Sequence, residues 1–216
     1  KEVVLEILAF FVLKRYEQIV EAIPRQYGLN PPFLLHEAET LLQFAEAKQK
    51  EGIFLDIGDR KTAMFVIKKG KLAHVDELDF GGGNHTQVLA DKLGMNTNSA
   101  RELKEQYAKQ KLSLELNSRL SPFFLQETEK FVTVLKEKLA KLNILFPQDI
   151  FLYGGGSALS EIMTRLQAEQ FQELSFSGEP KVSLLLPQDL WSISNMNQLT
   201  NPQYTPLFLE LYGNAQ

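Results

Sequence analysis

Two apolar runs set the terms for this chain. GIFLDIG (residues 52–58) and DIFLYGGGS (residues 149–157) each have the character of a buried strand that stops at glycine. The second run leads straight into SALSEIMTRLQAE, which has helical character. Glycine loses more backbone freedom on folding than other residues, so three in a row need a physical reason. A tight turn is one reason, and a ligand that must lie against bare backbone is another. A buried strand that ends in a turn and feeds a helix is the building unit of an α/β fold.

The rest of the chain fits that class. TAMFVIKKGKLAHVDELDF predicts two strands joined at Gly70. GGGNHT then opens a helix that closes at Gly94, and KVSLLLP predicts a last strand. Residues 3–13 have the composition of another buried strand. Helical spacing over 16–27 puts Ile19, Val20, Ile23 and Tyr27 on one face, with Pro24 predicted to kink or end that helix. Residues 205–213 close the chain as a helix, and Trp191 and Pro187 fit a packed surface loop. The middle is helix-rich. Ser99 with Glu102 reads as a capping box, and Ser121-Pro122 as the cap and first residue of a long helix. The apolar stripe of that helix is Leu125, Phe131, Val132, Leu135, Leu139 and Leu142. The predicted organisation is a discontinuous α/β subdomain over 1–83 and 148–216, with a mainly helical insert over 84–147.

Composition narrows the function classes. The 216 residues are enough for one large domain or two small lobes, and 44% hydrophobic with 23% charged residues is ordinary for a globular protein. A net charge of -4 argues against nucleic acid as a partner. There is no cysteine, which removes disulfides and thiolate metal sites. The three histidines, His36, His74 and His85, show no metal-ligand spacing, and His85 reads as a polar residue at a helix start. The apolar run near the N-terminus is too short for a membrane span and is interrupted by Glu6. A start at Lys1, running at once into an apolar segment, points to a piece of a longer protein.

Three glycine turns carry the candidate chemistry. In DIGDRKT, Asp56 at a strand end, followed by a turn and Thr62, can hold a hydrated divalent cation beside phosphates. The same residues equally satisfy the amides of a hairpin turn. In FGGGNHT, glycines at a helix start can accept an anion or serve as a hinge. In YGGGS, the missing Cβ atoms let a flat ring lie on the backbone, and Ser157 is equally a helix cap. None matches the P-loop or dinucleotide fingerprints.

Taken in order, FLDIGDRKTAMFVIKKGKLAHVDELDFGGGNHTQVLADKLG, SARELK, FLYGGGSAL and NPQYTPLFLELYG resemble the second half of the actin-like ATPase superfamily. The upstream FVLKRYEQIVEAIPRQYGLNPPFLLHEAETLL adds the strand–helix–strand that precedes its DxG hairpin. The chain is most similar to the bacterial cell-division protein FtsA and the type IV pilus protein PilM. That resemblance implies an actin-like (ribonuclease H-like) mixed sheet flanked by helices, with a helical inserted subdomain, and a missing N-terminal lobe. It implies ATP and Mg²⁺ as cofactors. Asp56 would be the catalytic carboxylate, near the metal through water. Gly58, Lys61, Thr62, Gly81 and Gly82 would serve the phosphates. Gly154, Gly155, Gly156, Ser157 and Lys104 would serve the adenosine.

Two positions depart from the family pattern. The phosphate turn is Asp59-Arg60-Lys61 rather than glycine-rich, which adds side-chain bulk, and Arg60 or Lys61 could contact phosphate directly. Arg101 stands where the family has a glutamate for the ribose hydroxyls. The implied role is a cytoplasmic scaffold, peripheral to the inner membrane through partners, with filament neighbours or membrane-associated division or pilus proteins to bind. Any ATPase activity would be weak and would need the full-length parent. A pseudo-ATPase scaffold and a sugar-kinase lobe are the alternatives.

Overall fold

The computed structural model describes residues 11–30, 35–169, 171–190 and 200–214. The chain divides into two compact units, Lys1–His36 and Glu37–Gln216. In the first, helix α1 (Lys14–Gln26) runs through Pro24 without ending there, and Gly28 follows it in a left-handed conformation with φ +66°. The strand predicted over residues 3–13 lies almost wholly outside the described residues, as does Trp191.

The second unit is built on one mixed sheet. Helix α2 (Glu37–Ala47) precedes strands β1 (Gly52–Ile57), β2 (Thr62–Lys68) and β3 (Lys71–Leu78). Helices α3 (Gly82–Leu93), α4 (Thr97–Ala108) and α5 (Leu114–Ala140) follow. Then come β4 (Asp149–Tyr153), a short 3₁₀ turn (Gly155–Ala158), α6 (Ser160–Ala168), β5 (Lys181–Leu184), α7 (Pro187–Leu190) and α8 (Thr205–Asn214). The sheet order is β3-β2-β1-β4-β5. The β1–β2–β3 meander is antiparallel, and β4 and β5 add parallel to β1. The β2–β3 connection is the tight turn predicted from KKGK. Lys69 and Gly70 take φ of 51° and 67°, the two left-handed residues that a type I′ hairpin requires.

Strand periodicity assigns the two faces. Ile53, Leu55, Ile57, Met64, Val66, Ile150 and Leu152 join one core with α3, α4, α5 and α6. Phe54, Phe65, Ile67, Phe151 and Tyr153 alternate with them and join Leu41 and Phe44 of α2 and Leu209 of α8. A strand buried on both faces reads as a continuous apolar run, which is the pattern of GIFLDI and DIFLY. Each such fully buried side chain contributes roughly 1.5–3 kcal/mol.

Two helix starts differ from the sequence expectation. The cap of α4 is Asn96, whose Oδ1 accepts the Ser99 amide at 2.9 Å, so Ser99 lies inside the helix. The cap of α5 is Ser113, and Pro122 lies in the helix interior. Leu120 and Phe124 on either side of Pro122 are 1% exposed, and burying this stripe outweighs the hydrogen bond that proline removes. Leu125 is not part of the stripe: it is 44% exposed, whereas Phe131, Val132, Leu135 and Leu139 are buried. His85 is also buried, among Phe80 and Phe124, with Nε2 3.2 Å from Thr128 Oγ1. Among the described residues, no helix is long and apolar enough to cross a membrane.

Candidate functional site

The parallel pairing of β1 with β4 brings the two glycine turns side by side. Asp56 and Tyr153 are register partners, so the DxG turn and the GGGS turn leave the sheet at the same edge. Gly154 has φ +81°, and a Cβ there would collide with Asp56 Oδ1. A Cβ on Gly156 would collide with Ile57. Both glycines are therefore required by the close approach of the two turns, before any ligand is considered. The Gly154 amide donates to Pro202 O at 3.0 Å, which draws the loop before α8 against the same turn. Ser157 is not a helix cap: it lies inside the 3₁₀ turn with its Oγ donating to Gly154 O at 2.8 Å, and Leu159 stands at the start of α6.

Beside these turns lies a cavity of about 670 Å³. Gly58 and Asp59 of the β1–β2 turn, Gly82 of α3, Arg101 and Lys104 of α4, Gly155–Ser157 and the 200–203 loop line it. Six residues singled out in the sequence thus meet at one surface: Gly58, Gly82, Lys104, Gly155, Gly156 and Ser157. Lys104 Nζ donates to Gly82 O at 2.6 Å and is not in an ion pair among the described residues. Burial draws the Lys104 ammonium below the ordinary lysine range, with Asp59 raising it and Arg101 lowering it further.

Other singled-out residues have different surroundings. Thr62 is buried and its Oγ1 donates to Phe80 O at 2.7 Å. Lys61 turns away to Glu77 on β3, Nζ to Oε2 at 2.5 Å. The anion-accepting helix start expected at GGGNHT is not open. Gly82 and Gly83 donate their amides to Gly58 O and Asp59 O at 2.8 and 2.6 Å, and Gly81 donates to Asn84 Oδ1 at 3.0 Å. The turn carbonyls have taken the place an anion would occupy. Gly81 packs directly on this turn, where a Cβ would meet Asp59 O at 2.6 Å.

A second polar cluster lies on the α2 face of the sheet. Tyr153, fully buried, donates its hydroxyl to Glu37 Oε1 at 2.8 Å. Burial raises the Glu37 carboxyl to about 7, the neighbouring Asp56 charge adds to this, and the Tyr153 hydrogen bond opposes it. Burial raises Asp56 to about 6. Neither carboxylate pairs with a cation among the described residues. Two half-buried carboxylates without a counter-ion suit a hydrated divalent cation, which needs only one or two protein oxygens. Glu37 was not visible as a site residue in the sequence, because an acidic residue at a helix start is ordinary. Only the placing of α2 over Asp56 and Tyr153 reveals it. The packing of the Asn201–Gln203 segment on Gly154 is visible only in the structure.

The model of the family described as Cell division protein FtsA matches residues 53–207. The chain belongs to the FtsA family. No curated protein matches it. Among solved structures, the FtsA-family chain is similar to ethanolamine utilization protein EutJ from Carboxydothermus hydrogenoformans, at 21% identity and TM-score 0.56, over 83% of this chain and 55% of that one. It is similar to the PilM–PilN type IV pilus biogenesis complex at 24% identity and TM-score 0.57, over 88% and 55%. MreB5 of Spiroplasma citri bound to ADP matches at 10% identity and TM-score 0.58, over 94% and 68%. These likenesses show the actin-like fold, a mixed five-stranded sheet flanked by helices. The chain spans about half the length of the EutJ and PilM chains.

Proposed function

We propose that this FtsA-family chain supplies the second lobe of an ATP-binding scaffold for membrane-associated machinery. The observation that carries the reading is the convergence of Gly58, Gly82, Lys104 and Gly155–Ser157 on one cavity. An adenine ring lies against the bare Gly155–Gly156 backbone. Lys104 supplies positive charge beside it, and Gly58 and Asp59 form the phosphate end. Asp56 and Glu37 are the residues that would hold Mg²⁺ through its waters, and Mg²⁺ supplies charge neutralisation at the phosphates. Lys61 and Thr62 support the turn from outside the cavity. The helical segment 84–147 acts as the adenosine-side subdomain of the 1–83 and 148–216 framework. The partners in this reading are filament neighbours and membrane-associated proteins of division or pilus systems. The MreB5 structure bound to ADP and the PilM–PilN complex support nucleotide and protein partners respectively.

Nucleotide occupancy would stabilise one shape of the lobe and so change its affinity for partners. Isothermal titration of the protein with ATP and Mg²⁺ is the test. Saturable binding that requires Lys104 supports the reading, and no binding at millimolar ATP sinks it. A second reading, a scaffold without nucleotide, is favoured by one contact: Arg101 Nη2 stands 3.5 Å from Asp59 Oδ2 at the cavity.

A further inference from the structure

The cavity is polarised along α4. At one end Arg101 reaches the phosphate turn through Asp59, with Nη2 to Oδ2 at 3.5 Å. At the other, Ala108, Leu159, Met163 and Leu184 form an apolar lining. Arg101 and Ala108 are about 10 Å apart along the helix axis at 1.5 Å per residue. In a nucleotide the sugar lies between base and phosphate chain. A base at the apolar end and phosphates at Gly58–Asp59 therefore carry the sugar past Arg101 and Lys104.

What meets the sugar there is a surface of donors. A guanidinium has five donors and no acceptor, and an ammonium has three donors and no acceptor. A ribose hydroxyl is best held by a carboxylate that accepts its proton. The carboxylate at hand, Asp59, is already engaged by Arg101, and the α4 acid that lines the cavity, Glu105, is paired with Lys109 at 3.4 Å. Arg101 thus holds Asp59, while Lys104 Nζ donates to Gly82 O beside it. The planar fork of arginine matches phosphate oxygens better than a lone hydroxyl. In dinucleotide-binding folds an arginine beside the ribose accommodates a ribose phosphate where an acid would hold the bare hydroxyl.

We propose that Arg101 is a specificity residue that selects nucleotides carrying a phosphate on the 2′ or 3′ oxygen of the ribose. Asp59 is its counter-ion in the absence of ligand, and the ribose phosphate takes over that role on binding. The proposal rests on the nucleotide reading of the cavity.

The experiment is titration calorimetry of the wild-type protein and its Arg101→Gln and Arg101→Glu variants at fixed salt. The probes are ATP with Mg²⁺, AMP, adenosine 2′,5′-bisphosphate and adenosine 3′,5′-bisphosphate. AMP and the bisphosphates share the 5′ phosphate, so their affinity ratio isolates the ribose phosphate. Wild type is expected to bind one bisphosphate about tenfold or more tighter than AMP, as one charge-assisted contact provides. Both variants are expected to bring that ratio to about one, whatever their absolute affinity for AMP. Equal affinities in wild type, or a preference that survives in both variants, overturn the role of Arg101 and leave the nucleotide reading standing. No binding of any probe, ATP included, overturns both.

Discussion

Tyr153 donates its hydroxyl to Glu37 across 2.8 Å, tying the last residue of β4 to the first of α2. The bond holds a carboxyl that burial and Asp56 have raised to about 7 from 4.5. Between these values the unfolded chain has lost the proton and the folded chain keeps it, so stability falls as pH rises from about 4.5 to 7. Above that range the deficit is constant, at most about 3 kcal/mol and less because the carboxyl retains contact with solvent. Glu37→Gln is expected to melt above wild type at pH 8, with the gap closing towards pH 4.5. Thermal melts across pH check this, and a gap independent of pH would contradict it.

His85 has the opposite dependence. Burial, with the charge of Lys104 adding to it, lowers the imidazole to about 4 from 6.5. As pH falls through that window the unfolded chain takes a proton that the folded chain refuses, and stability drops by about 3 kcal/mol. His85→Gln is expected to flatten the acid limb of the stability curve, whatever its effect on absolute stability. Denaturant midpoints at pH 4, 5, 6 and 7 read that slope, and an unchanged slope would rule the role out.

The glycine turn behaves as a packing requirement as well as a candidate ligand wall. Gly154 combines φ +81° with the carboxylate of Asp56 where a Cβ would stand. Gly154→Ala is expected to cost roughly 2–4 kcal/mol through strain and collision together. Gly155→Ala is the control, because a Cβ there meets only Gln203 Cβ at 3.9 Å. Urea denaturation of the two variants separates them, and equal losses would refute the assignment.

Local signals were legible where one element decided them. The alternation of Ile53, Leu55 and Ile57 with Phe54 needed no partner to be seen, and neither did the Lys69-Gly70 turn. Helix starts were not, because several polar residues compete for the same cap. Asn96 is the α4 cap and Ser99 is not, since the helix begins as soon as an acceptor can reach a free amide. Asn96→Ala is expected to cost about 1 kcal/mol. Ser99→Ala should change stability by less than about 0.5 kcal/mol. Helicity and melting of the pair decide between the two boundaries. The Glu37–Asp56–Tyr153 cluster was illegible for another reason: its members are close only through the β1–β4 pairing and the docking of α2.

Two lysines give the sharpest test of the nucleotide site. The resemblance to actin-like ATPases implies Lys61 beside the phosphates and Lys104 beside the adenosine. In the structure Lys61 leaves the cavity for Glu77, both side chains more than half exposed, whereas Lys104 is held at the cavity wall by Gly82 O. An exposed ion pair is worth at most about 1 kcal/mol, so Lys61→Ala should alter stability slightly and ATP affinity by less than about threefold. Lys104→Gln removes a charge aimed into the site and should weaken ATP at least about tenfold. Titration of both variants against one ATP–Mg²⁺ stock makes the comparison. Equal losses would place the phosphates over Lys61 and would displace the ligand orientation on which the role of Arg101 depends.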